Sequence, residues 1–239
     1  MKKYKLSERI ITLALTAIIV FVCALPAFAV KTTYYSFNPP EGWQEKKDVQ
    51  VISEGIEDLS VFILPGDKKE NFRLYVHDNS AIKAASELND ESIKKFENEL
   101  KESIQNLADP DVKIQIDKIN TKLIKIKSSP VFKTIIEQTV SIGTENFKFR
   151  VVDYSFFLKN KVVHAQFTVS YDSLMTSKDM DDVVKKIKIS GEKLPAKDLG
   201  AKKESKFNMG ILLIIGVVVL FLIGITVLVV VLVKNKKEG

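Results

Sequence analysis

The chain has 239 residues, 46% of them hydrophobic and 28% charged, which is a length for one domain or at most two. Ten glycines and seven prolines against that apolar content exclude collagen-like and disordered chains. The formal charge of +6 is terminal: residues 30–190 hold 24 Lys+Arg against 25 Asp+Glu, and the excess lies in residues 1–29, 191–208 and 234–239. A charge-balanced domain offers phosphates no cationic field, so nucleic acid is excluded as a partner.

Residues 1–29 read as a signal peptide. Lys2, Lys3, Lys5 and Arg9 precede an apolar run at 10–25, Pro26 breaks the helix, and Ala27-Phe28-Ala29 fits a small-x-small cleavage site. Cleavage would start the mature protein at Val30; an uncleaved signal anchor is the alternative, and either one exports the downstream domain. Lipid attachment at Cys23 is disfavoured because bulky Val22 stands where a lipobox carries Gly or Ala. Cys23 is the sole cysteine, so the domain beyond it has no thiol for a disulfide, a zinc thiolate or a nucleophile. An exported, disulfide-free, Lys- and Ile-rich chain suggests a bacterial envelope.

Residues 30–190 form the expected domain. Period-two alternation predicts strands at 34–37, 49–52, 59–64 and 72–77, with Pro65-Gly66-Asp67 as a turn. An apolar stripe of Ile93, Phe96, Leu100, Ile104 and Leu107 predicts a helix over 90–107, capped by Asn89 and stopped before Pro110. Alternation returns at 112–116, 123–126, 132–142, 147–158 and 162–171, the last two joined by a tight hairpin at Lys159-Asn160-Lys161. Both faces of that hairpin are apolar, which suits a sheet covered on both sides. A closing helix is expected over 178–189, capped by Ser177, with Asp179, Asp181 and Asp182 in its first turn and Lys185, Lys186 and Lys188 in its last.

Residues 191–208 form a basic juxtamembrane linker. The next segment, 209–233, is expected to be a transmembrane helix, since residues 210–233 contain no charge and at ~1.5 Å per residue exceed the ~30 Å hydrocarbon layer. Gly210, Gly216 and Gly224 make no GxxxG dimerisation face. Lysines on both sides leave the positive-inside rule undecided, and the signal peptide sets the orientation: domain outside, tail 234–239 in the cytoplasm. Leu194-Pro195-Ala196 begins like a sortase motif, but Lys197 and Asp198 occupy the two positions that sortase chemistry needs. Lys236 and Lys237 have the spacing of a dilysine retrieval tail, which has meaning only in a eukaryotic host.

The run Tyr35-Ser36-Phe37-Asn38-Pro39-Pro40-Glu41-Gly42-Trp43 is a strand leading into Pro-x-Gly-Trp. With the strands, amphipathic helix and meander downstream, and the closing run of residues 183–190, it resembles the PsbP-like domains over residues 34–190. The resemblance implies an α+β fold, an α/β/α sandwich around an antiparallel sheet, in a family of accessory and binding proteins without a shared catalytic apparatus. It transfers no site residue, and nothing in the chain indicates a photosynthetic partner.

No G-x-S-x-G elbow, H-E-x-x-H helix or glycine-rich phosphate loop occurs. His77, at a predicted strand end, is expected in a solvated turn. His164 shares its predicted strand face with Gln166, Thr168 and Ser170 and is expected on a solvated or ligand-facing surface. Neither has a second ligand at useful sequence spacing, so no metal site is assigned. The three aspartates at 179–182 lack the glycine turn and distal glutamate of a calcium loop and suit helix-dipole compensation. Trp43 is expected to clamp the first strand onto the core. The expectation is therefore a membrane-anchored, non-enzymatic binding or accessory domain with no catalytic, cofactor or metal residues and no cofactor. Its partners would be the lipid bilayer, through the C-terminal helix, and an envelope protein or small ligand. An unfamiliar envelope hydrolase or a structural subunit of a membrane complex are the alternatives.

Overall fold

A computed structural model describes residues 29–47, 55–66, 70–79, 82–105, 112–142 and 144–196. The expected signal peptide, the strand at 49–52, the transmembrane helix and the cytoplasmic tail lie outside these residues, as does most of the linker. Among the described residues no helix is long and apolar enough to cross a membrane.

The fold is mostly antiparallel sheet with few helices. Strands β3 (Gln44–Glu45), β4 (Glu57–Ile63), β5 (Asn71–Asp78), β6 (Val112–Ile126), β7 (Ser129–Ile142), β8 (Glu145–Phe157) and β9 (Lys161–Ser170) form one sheet in the order β3-β4-β5-β9-β8-β7-β6. A second sheet of three short strands joins β1 (Val30–Lys31) and β2 (Tyr35–Phe37) to β10 (Lys188–Ile189). Helix α1 spans Asp90–Gln105 and helix α2 spans Ser177–Val184.

Alternation assigns the two faces of the large sheet. One presents Phe72, Leu74, Val152, Tyr154, Phe156, Val163, Ala165 and Phe167 to the small sheet and to Met180, Val183 and Val184 of α2. The other presents Phe132, Ile136, Val140, Val151, Phe157 and Val162 to Ile93, Phe96 and Leu100 of α1. Each buried Phe or Leu contributes roughly 1.5–3 kcal/mol of transfer free energy, so neither helix could leave without stripping a face of the sheet.

Local chemistry sets the ends. Asn89 Oδ1 accepts the N–H groups of Glu91 and Ser92, which makes it the expected cap of α1. The expected cap of α2 is displaced by one residue: Thr176 accepts the Asp179 N–H, and the Asp179 carboxylate accepts the Thr176 N–H in return. The helix also ends at Val184 rather than at 189. Lys188 and Ile189 pair with Ser36 and Tyr35, and a strand edge that needs partners takes these residues from the helix.

The β6–β7 hairpin turns through Lys127 and Ser128, both left-handed, at φ 47° and 66°. β6 forms the outer edge of the large sheet. A bulge interrupts its register between Ile116 and Lys118, and its Thr121 N–H is taken by the Glu97 carboxylate of α1. Tyr35 ties the two sheets together. Its hydroxyl donates to the Asp58 carbonyl beside a second bulge, in β4, and lies 3.1 Å from Ser60 Oγ. Burial raises the phenol to about 12, which keeps it protonated and a donor.

Candidate functional site

Two features of the domain carry polar chemistry, and they lie on opposite faces of the large sheet. The first is a network on the α1 face of β5, β8 and β9. The register sets Tyr75 opposite His164, His164 opposite Ser155, and Gln166 opposite Asp153 and Arg73. Period two then directs Arg73, Tyr75, His77, Asp153, Ser155, His164 and Gln166 to one side, where all are buried.

His77 therefore does not sit in a solvated turn, and His164 is not on a solvated surface. The His77 and His164 side chains meet Nε2 to Nε2 at 2.8 Å. His164 Nδ1 lies 3.0 Å from Asp153 Oδ2, and the Ser155 hydroxyl donates to the same carboxylate at 2.6 Å. The Tyr75 ring stacks on the His164 ring at 4.6 Å, with 6° between the planes. Arg73 Nε donates to Asn71 Oδ1 at 2.9 Å, and burial lowers its guanidinium only to about 10, so it stays charged at neutral pH.

The ends of this chain fix its hydrogen-bond directions. His77 Nδ1 lies 2.9 Å from the Asp78 carbonyl, which only accepts, so this nitrogen holds a proton. Burial, with His164 beside it, pushes the His77 imidazole down to about 3, so the ring is neutral and its Nε2 is an acceptor. The proton in the His77–His164 contact then belongs to His164 Nε2. His164 Nδ1 closes the chain on the Asp153 carboxylate. His77, His164 and Asp153 thus all have hydrogen-bond partners in the interior, where unpartnered polar groups would be costly. The Ser155 hydroxyl also lies 3.3 Å from His164 Nδ1, so the serine, the histidine and the aspartate share one buried cluster. Among the described residues no cluster of three or more His, Cys, Asp or Glu side chains could hold a metal ion.

The second feature is an open cleft of about 440 Å³ at the β3 end of the opposite face, walled by Trp43, Leu64, Pro65, Glu70, Leu174 and Met175. Trp43 performs the expected clamping: its ring lies 5.3 Å from that of Phe72 and 6.3 Å from those of Phe62 and Phe167. It is only half-buried, and the rest of the indole lines the cleft. Leu174, at 96% exposure, projects from the rim. Glu70 is 7% exposed; its Oε1 accepts the Ser170 N–H at 3.2 Å.

No family model and no curated protein matches the chain. Among solved structures it is similar to the solution structure of cyanobacterial PsbP (CyanoP) from Synechocystis sp. PCC 6803, with 15% identity and a TM-score of 0.46, over 68% of this chain and 90% of that one.

The three aspartates singled out in the sequence each have a protein partner. Asp179 belongs to the capping box of α2. Asp181 accepts from Lys133 Nζ and Tyr154 Oη, both at 2.6 Å, and Asp182 pairs with Lys185 at 2.8 Å. The aspartates are thus divided between a cap, a bridge to the sheet and a surface pair. The histidine pairing and the cleft were both missed by the sequence reading. The one signal for the pairing was the polar alternation through His164 and Gln166, which marks a shared face without revealing what covers it.

Proposed function

We propose that the chain is a single-pass membrane protein whose extracytoplasmic domain, residues 30–190, is a PsbP-like binding or accessory module without catalytic residues. The anchoring rests on the sequence: an export signal, and a 24-residue uncharged run with a lysine-rich tail behind it. The kinship rests on the Pro-x-Gly-Trp run at residues 40–43 and on the order of strands, helix and meander after it.

One observation carries the binding role. The accessible concavity and the titratable cluster are on different faces of the sheet, so the cleft holds an indole, apolar walls and carboxylates, while the histidines are sealed. A pocket that presents shape and charge but no acid–base pair suits recognition. The exposed Leu174 at its rim suits a partner in the cell envelope.

The test uses the absence of cysteine beyond residue 23. In a full-length chain carrying Cys23→Ala and Leu174→Cys, a photo-crosslinker on the new thiol should give a discrete adduct in intact cells. The same reagent on Glu145→Cys, away from the cleft, should give none. External protease should remove the domain and spare a tag on residue 239. Recovery of the intact chain from the cytosol, or equal labelling from both positions, would reject the reading.

A further inference from the structure

Glu70 sets a requirement on whatever fills the cleft. At 7% exposure the Glu70 side chain is largely withdrawn from bulk water, and a carboxylate so placed favours a polar or cationic partner. Among the described residues its carboxylate accepts one hydrogen bond, from the Ser170 N–H, which is too little to replace the lost hydration. No described Lys, Arg or His forms an ion pair with it, and the second carboxylate of the cleft, exposed Asp172, adds to the negative potential. Arg150 donates Nη2 to the Met175 carbonyl at 3.2 Å and is not among the lining residues. Among the described residues the cleft thus contains two carboxylates and no cation, beside an indole, which attracts cations, and beside Leu64, Leu174 and Met175.

We propose that this cleft binds a small organic ammonium ion with an apolar body, its cationic head against Glu70 and its body along Trp43, Leu174 and Met175. The proposal rests on the binding role and names the ligand class. A volume of about 440 Å³ lies in the range of small-molecule sites, about 300–1,000 Å³.

Trp43 is the only tryptophan, so the full-length chain in lipid nanodiscs carries its own reporter. The probe is 2-phenylethylammonium, with 3-phenylpropionate as the anion of similar shape. The ammonium probe should change the Trp43 emission saturably, and the anion should bind at least about tenfold more weakly. Glu70→Gln should weaken the ammonium probe about tenfold or more, as expected for loss of a charge-assisted contact. If that variant does not fold, the exposed Asp172→Asn should still weaken the probe several-fold while leaving the far-UV spectrum unchanged.

Equal binding of cation and anion, no saturable change, or indifference to both substitutions overturns the proposal. The chain's own Lys68 and Lys69, which precede Glu70 in sequence, are the competing occupants. If Lys68→Ala with Lys69→Ala tightens the probe tenfold or more, the cation is internal and the proposal is rejected. Crosslinking from position 174 does not depend on any amine, so failure of the ligand class leaves the binding role standing, and the reverse.

Discussion

His77 and His164, 87 residues apart in sequence, face each other through their Nε2 atoms at 2.8 Å in the interior of the sheet. This contact works with one proton between the two nitrogens. A second would set two N–H donors head to head, and burial together with the neighbouring His164 holds the His77 imidazole down at about 3.

The pair makes acid tolerance measurable. The ordinary value of a histidine is 6.5, so between about 6.5 and about 3 the unfolded chain binds a proton at His77 that the folded chain refuses. A depressed folded value gives stability that is present above pH 6.5 and lost as the pH falls, at up to about 1.4 kcal/mol per pH unit. Denaturant titrations from pH 7 to pH 5, above the main range of the carboxylates, should show that slope in the native protein and a flatter one in His77→Gln. Parallel slopes would reject the assignment.

Tyr35→Phe isolates the tie between the sheets. It keeps the ring in the core and deletes the hydroxyl that donates to the Asp58 carbonyl and meets Ser60. The expected loss is about 1–2 kcal/mol by equilibrium unfolding, because a part-buried carbonyl and the buried Ser60 hydroxyl lose their phenol partner. A change below about 0.5 kcal/mol would mean that water replaces the phenol.

Thr176→Ala removes half of the α2 capping box and should cost about 1 kcal/mol. Ser177→Ala, at the position the sequence suggested as cap, should change stability by less than half as much. The opposite ranking would restore the sequence reading of this terminus.

The turn between β6 and β7 offers a gain. Lys127 and Ser128 both sit at positive φ, where side chains other than Gly, Asn and Asp cost roughly 1 kcal/mol each. Lys127→Asn with Ser128→Gly should therefore raise the unfolding free energy by about 1 kcal/mol without changing the fold. No gain would argue that the pair is held by contacts beyond its backbone preference.

Long strands and the amphipathic helix were legible because they bury one face each and so impress a period on the sequence: 90–105 and the meander from 112 to 170 fall where alternation and the Ile93, Phe96 and Leu100 stripe put them. Residues 188–189 were read as helix because Val183, Val184 and Ile187 continue a helical period. Only the exposed edge of β2, about 150 residues earlier, reveals the competing strand. The histidines failed for a similar reason. Alternation places His164, Gln166 and Thr168 on one side but cannot say that Tyr75 and Asp153 will enclose them. The cleft draws Trp43, Leu64, Glu70 and Leu174 from separate segments, and no window of sequence contains it.

The outer strand β6 has a further consequence. Fifteen residues long, it leaves one row of backbone groups without a neighbouring strand, the usual seed for stacking one molecule onto another. Lys113, Lys118, Lys122 and Lys125 punctuate that rim, the kink at 116–118 spoils its straightness, and Glu97 occupies one of its donors. Two copies brought rim to rim would have to crowd like charges along a bent line. The domain can thus be crowded at high concentration without polymerising into ribbons.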